Sequence, residues 1–161
     1  MRIFTAKCRF PRVYYACRNP CEQVATSHIM KKYNVSIKTV AGEFEKITMG
    51  EGNYSTEYGN GVISFEDCED AANSLTKIIL ADNMVSVERK AEVSSFMIFE
   101  EGKSGIAEIA TEFGNFKFPF FTKKVQTEKT DGGINVTLNY LSGENSGADE
   151  FFIHIKCTEV V

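Results

Sequence analysis

Arg89 closes the alternating stretch MVSVER, where it shares parity with Val85 and Val87 and is expected to point where they point. An arginine turned toward an apolar interior needs an anionic partner, because an unpaired buried guanidinium is very costly. Glu66, in the stretch ISFED, is the expected partner. Two readings stay open: an Arg–Glu pair that closes one end of the fold, or a cationic floor for an acidic ligand.

Other chemistry-bearing residues lead less far. His154 falls between Ile153 and Ile155, on the face expected to be solvated. It has no serine, cysteine or second titratable group identifiable beside it, so neither general-base catalysis nor enzymatic activity is expected. Cys68 and Cys157 read as a loop thiol and a small core residue. The acidic run EDCED at 66–70 lacks the stepwise ligands and the glycine of a calcium loop. GEGNYS lacks the lysine and the strand-to-helix setting of a phosphate loop. Cys8, Cys17, Cys21 and His28 are zinc-type residues, but no second close ligand pair follows them. No metal and no cofactor is expected.

Aromatic residues are concentrated in TEFGNFKFPFFT, residues 111–122, which holds five of the chain's thirteen phenylalanines. Phe116, Phe118 and Phe120 alternate with Lys117 and Pro119, so they share one face and are expected to fill a core or line a cavity. Pro119 has no backbone donor and marks a sheet edge or a bulge. Tyr140 ends the alternating set Ile134, Val136, Leu138 and belongs to the same kind of surface.

The elements that must position these residues have period two. Val35, Ile37 and Thr39, then Ile63 and Phe65, Val85 and Val87, and finally Phe151, Ile153, Ile155 and Cys157 each share a face. Gly42, GEG at 50–52, GNG at 59–61, ADN at 81–83, EEGKSG at 100–105, TDGG at 130–133 and SGENSG at 142–147 read as turns between them. FEDCEDAANSL, 65–75, is the one place where a helical turn fits. The gaps are too short for crossover helices, so consecutive strands should pair antiparallel. Eight to ten strands would leave two raw edges unless the sheet closes, and the expected fold is an all-β, up-and-down antiparallel barrel.

Composition bounds the partners. In 161 residues the net charge is −4, but residues 1–29 hold five Lys/Arg and one acidic residue, leaving 13 basic against 21 acidic in the rest. That acidic balance excludes a general nucleic-acid face. No apolar run approaches the roughly eighteen residues of a spanning helix, so no membrane partner is expected. Three of the five cysteines also fall in the first 29 residues, and a reducing cytoplasm is the expected location. Met30, followed by two lysines and the first alternation, is the expected start of the domain. Residues 1–29 then form an extension and 30–161 one barrel domain.

Four stretches in order, YGNGVISFEDCEDAANSLTKIIL, MVSVERKAEVSSFMIFEEGK, TEFGNFKFPFFT and GGINVTLNYLSG, resemble the YwiB-like family of small bacterial proteins over residues 32–159. The more specific elements are Phe65–Glu66, Arg89, Met97 with Phe99, and Thr111 to Gly114 followed by Thr122. Ala91 stands where the family usually has glycine. The resemblance implies a domain of unknown function with a calycin-like, lipocalin-related β-barrel, and it carries no settled activity. Two functions are therefore expected to compete. One is a barrel that binds a small, partly apolar or acidic ligand through Arg89, Glu66, Phe116, Phe118, Phe120 and Tyr140. The other is a structural or protein-interaction barrel with a solid core and no ligand.

Overall fold

The computed structural model describes residues 31–67, 74–143 and 147–161, which form ten β-strands. They are β1 (Lys31–Ala41), β2 (Phe44–Glu57), β3 (Asn60–Asp67), β4 (Ser74–Ala81), β5 (Met84–Lys90), β6 (Ser94–Glu100), β7 (Ser104–Thr111), β8 (Gly114–Thr130), β9 (Gly133–Leu141) and β10 (Glu150–Glu159). Each strand pairs antiparallel with its sequence neighbours, and β1 pairs with β10 to close the barrel. Cys68, the expected helical turn around 68–73, Met30 and the Cys8, Cys17, Cys21, His28 set lie outside the described residues. Among the described residues no helix is long and apolar enough to cross a membrane.

Short turns enforce this order. Between β2 and β3 only Tyr58 and Gly59 intervene, both at positive φ (51° and 83°). That is the conformation whose twist matches two antiparallel strands. The GEG segment, expected as a turn, instead lies inside β2. Gly50 and Gly52 face Phe65 of β3, and a Cβ on Gly52 would sit 2.6 Å from the Phe65 Cβ. Glycine here makes room for Phe65 and the backbone of the paired strand β3 rather than letting the chain reverse.

Alternation puts one face of every strand inside. Around the middle of the barrel, Ile63, Ile78, Val85, Phe99 and Leu138 are fully buried, and Val35, Val136, Ile155 and Cys157 pack on them. Burial pushes the Cys157 thiol up to about 11. His154 lies on the outer, exposed face as expected. On that outer face lysines and glutamates pair across strands, as in Lys117–Glu108 at 2.8 Å and Lys38–Glu45 at 2.9 Å. Such exposed pairs each contribute at most about 1 kcal/mol.

The walls differ in height. β8 pairs with β7 through Gly114–Phe121 and with β9 from Phe121 onward. Among the described residues, 114–120 therefore have a partner on one side only, which is where Pro119 is tolerated. The register shifts between Thr122 and Lys124. The β6–β7 turn clasps this irregularity: Gly102 N donates to Thr122 O, Thr122 N to Lys103 O, and Val125 N to the Glu101 carboxylate, each at 2.9 Å.

Candidate functional site

The turns β1–β2, β5–β6, β7–β8 and β9–β10 mark one rim of the barrel, and Arg89 sits one residue before the end of β5 at this rim. Register builds the inner wall around it. Phe65 pairs with Thr76, Thr76 with Arg89, Arg89 with Ser95, Ser95 with Ile109 and Ile109 with Phe116. Phe65 and Phe116, 51 positions apart in sequence, thus share one row across six strands. Directly opposite residues have neighbouring side chains on one face, so Arg89 is flanked by two hydroxyls.

Arg89 does not pair with Glu66. Its carboxylate partner among the described residues is Asp67, at 3.8 Å from Arg89 Nη2 to Asp67 Oδ1. The reason is parity: Phe65 faces inward, so Asp67 does too, while Glu66 points out between Glu51 and Leu75. Glu66 lies in a separate outer groove with Met49 and Leu75. Asp67 Oδ2 accepts a hydrogen bond from Ser74 Oγ at 2.5 Å, but buried Oδ1 has no hydrogen-bond partner. At 3.8 Å the guanidinium balances that charge without spending a hydrogen bond on it. Arg89 keeps its donors, and it is only half-buried.

Beside it opens a cleft of about 590 Å³ whose lining includes Arg89, Ser95, Phe96, Ile109 and Phe116. Phe116, Phe118 and Phe120 do share a face, but they divide by depth. Phe120 is 2% exposed, whereas Phe116 and Phe118 are 46% and 51% exposed. The two exposed rings stack on each other with centroids 6.4 Å apart. Core filling therefore describes Phe120 alone.

Phe120 and Tyr140 belong to a different group. Phe120 lies against Gly105, where a Cβ would come within 2.6 Å of its ring. Tyr140 packs on Phe99, Phe120 and Phe151 with centroids 5.0 to 5.5 Å away. Such tilted and offset arrangements add to plain burial. Burial pushes the Tyr140 phenol up to about 12. These rings pack together behind the rim, with Phe120 buried and Tyr140 and Phe151 half-buried.

Of the six residues expected to form the site, the structure brings Arg89 and Phe116 into one cleft and stacks Phe118 beside them. Phe120 and Tyr140 are packed inside, and Glu66 faces away. Asp67, Thr76, Ser95 and Ile109 were not expected. For Asp67 the signal was present in the alternation with Phe65. For Ser95 and Ile109 it was absent, because only strand register places them next to Arg89. Among the described residues no group of three or more His, Cys, Asp or Glu side chains gathers as metal ligands would. The cleft offers the Arg89 guanidinium, hydroxyls and apolar rings, bordered by the Lys90–Glu88 and Lys117–Glu108 ion pairs.

Residues 30–147 match the family model of a domain of unknown function, DUF1934, and the chain belongs to that family. Among solved structures it is similar to the ywiB protein from Bacillus subtilis. The two share 18% identity with a TM-score of 0.70, over 82% of this chain and 94% of that one. That likeness is one of fold. No curated protein matches.

Proposed function

We propose that this DUF1934 barrel is a binding module whose open rim takes a small, partly apolar molecule with an anionic group directed at Arg89. The observation that carries the reading is the exposure of Phe116 and Phe118 on the inner face of a wall, with Phe116 sharing a cleft with Arg89. Apolar surface left open beside a few convergent polar groups is the usual make-up of a small-molecule site, and here Glu88, Lys90, Glu108 and Lys117 also border the cleft. The guanidinium supplies donors for a carboxylate or similar anion, and Ser95 adds a hydroxyl. Asp67 keeps the arginine near the wall without covering it.

The alternative, a solid barrel without a ligand, is favoured for the centre of the molecule by the full burial of Ile63, Ile78, Val85 and Leu138. The ligand therefore lies at the rim and not in the barrel's centre. Calorimetric titration with a medium-chain carboxylate and with the alcohol of the same chain length tests this. The carboxylate should bind about tenfold or more tightly than the alcohol, corresponding to one charge-assisted contact. Arg89→Met should abolish the difference, and Phe116→Ser should weaken both. Equal affinity of acid and alcohol for the native protein, or no binding of either, would overturn the proposal.

A further inference from the structure

Three turns of the rim repeat one pattern that neither the core nor the cleft uses. Glu43–Phe44 stands at the β1–β2 turn, Glu92–Val93 at β5–β6 and Glu112–Phe113 at β7–β8. Each is an acidic residue followed by a large apolar one. Phe44, Val93 and Phe113 are 56%, 46% and 85% exposed. All three glutamates are exposed, and among the described residues none has an ion-pair partner.

On the barrel wall, glutamates such as Glu45, Glu88 and Glu108 are each neutralised by a lysine. At the other rim, the turn acids Asp82 and Asp131 sit beside Asn83 and Gly132, with no apolar residue following. Exposed Tyr58 there does follow a glutamate, but Glu57 is held by Lys77 at 3.3 Å. Among the turns of the described residues, uncompensated negative charge followed by an exposed apolar side chain recurs only at this end; on the wall, Glu51 and Glu66 beside Met49 and Leu75 also combine the two.

We infer that these turns form a docking surface for a polypeptide segment carrying basic and apolar side chains. The choice of occupant rests on charge complementarity. Basic groups of a partner would meet glutamates that have no counter-charge among the described residues, and its apolar groups would cover Phe44, Val93 and Phe113. An anionic lipid surface would meet the same glutamates with repulsion. The inference stands on the turns and not on the ligand of the cleft.

The full chain is to be titrated with fluorescently labelled short peptides, one of lysine and leucine and one of glutamate and leucine, and with phosphatidylglycerol vesicles. The lysine peptide should bind and the glutamate peptide should not. Combining Glu43→Gln, Glu92→Gln and Glu112→Gln should weaken the lysine peptide about tenfold at low salt, an effect that added salt mimics. Phe113→Ser should weaken it as well. The same triple variant should bind a medium-chain carboxylate no more weakly than the native protein, which separates loss of this surface from loss of the cleft. Equal binding of the two peptides, an undiminished triple variant, or preference for the anionic vesicles would overturn the inference.

Discussion

Two levels of one barrel wall behave oppositely although the same alternation runs through both. In the middle, inward residues from neighbouring strands meet others of similar size, and Ile63, Ile78, Val85 and Leu138 are sealed. At the rim the inward positions of β8 rise past the point where β9 stops pairing with it, and Phe116 and Phe118 face inward without being covered. Facing inward is a property of a strand. Being buried is a property of its neighbours.

The largest expected effect separates these levels through two phenylalanines on one strand. Phe120→Ala should cost about 3 to 5 kcal/mol, the range for truncating a packed aromatic, since its ring contacts Phe99, Tyr140 and Gly105. Phe118→Ala should cost under about 1 kcal/mol, as for exposed positions generally. Denaturant unfolding of both variants checks this, and similar losses would erase the distinction.

Next in size is the Arg89–Asp67 pair. Arg89→Met leaves a buried carboxylate with one oxygen already unpartnered, and it should cost about 1 to 3 kcal/mol. Adding Asp67→Asn should recover part of that loss, because the stranded charge is gone. A double variant whose losses simply add would show that the two side chains do not sense each other.

Alkaline pH should strike the packed level and spare the rim. Cys157 and Tyr140 are raised from 9.0 to about 11 and from 10.0 to about 12. A raised pKa means that the folded protein holds the proton more tightly than the unfolded chain. The associated stability is therefore complete below about pH 9 and is lost as pH rises through 11 and 12. Melting temperature followed from pH 8 upward should fall across that window, and an unchanged curve would contradict the burial of both groups.

The smallest effect concerns the clasp that ends the tall wall. Glu101→Ala removes the acceptor for Val125 N at the register shift and should cost about 1 kcal/mol. Faster amide exchange at Val125 would localise the change, and unchanged exchange there would discount the clasp.

Much of this molecule is written in its alternation. The period of two in Ile134, Val136 and Leu138, or in Ile153, Ile155 and Cys157, predicts both strand and face, and short turns leave antiparallel neighbours as the simple topology. The GEG segment misleads because glycine serves both turns and close wall contacts. Glu66 misleads because it offers the complementary charge, although parity alone places Asp67 inward. Depth is harder to read. How far β8 rises above β9 depends on how the strands are staggered around the closed barrel, and no single strand encodes that. The same holds for Ser95 and Ile109, which neighbour Arg89 and Phe116 only through register.

The most direct test of a sealed middle beneath a binding rim is a residue-resolved NMR titration of the native chain with a medium-chain carboxylate. Saturable shifts should gather at Arg89, Ser95, Ile109, Phe116 and Phe118, with Ile63, Ile78, Val85 and Leu138 unmoved. Shifts centred on those four buried residues, or none at the rim at concentrations where the ligand is soluble, would contradict it.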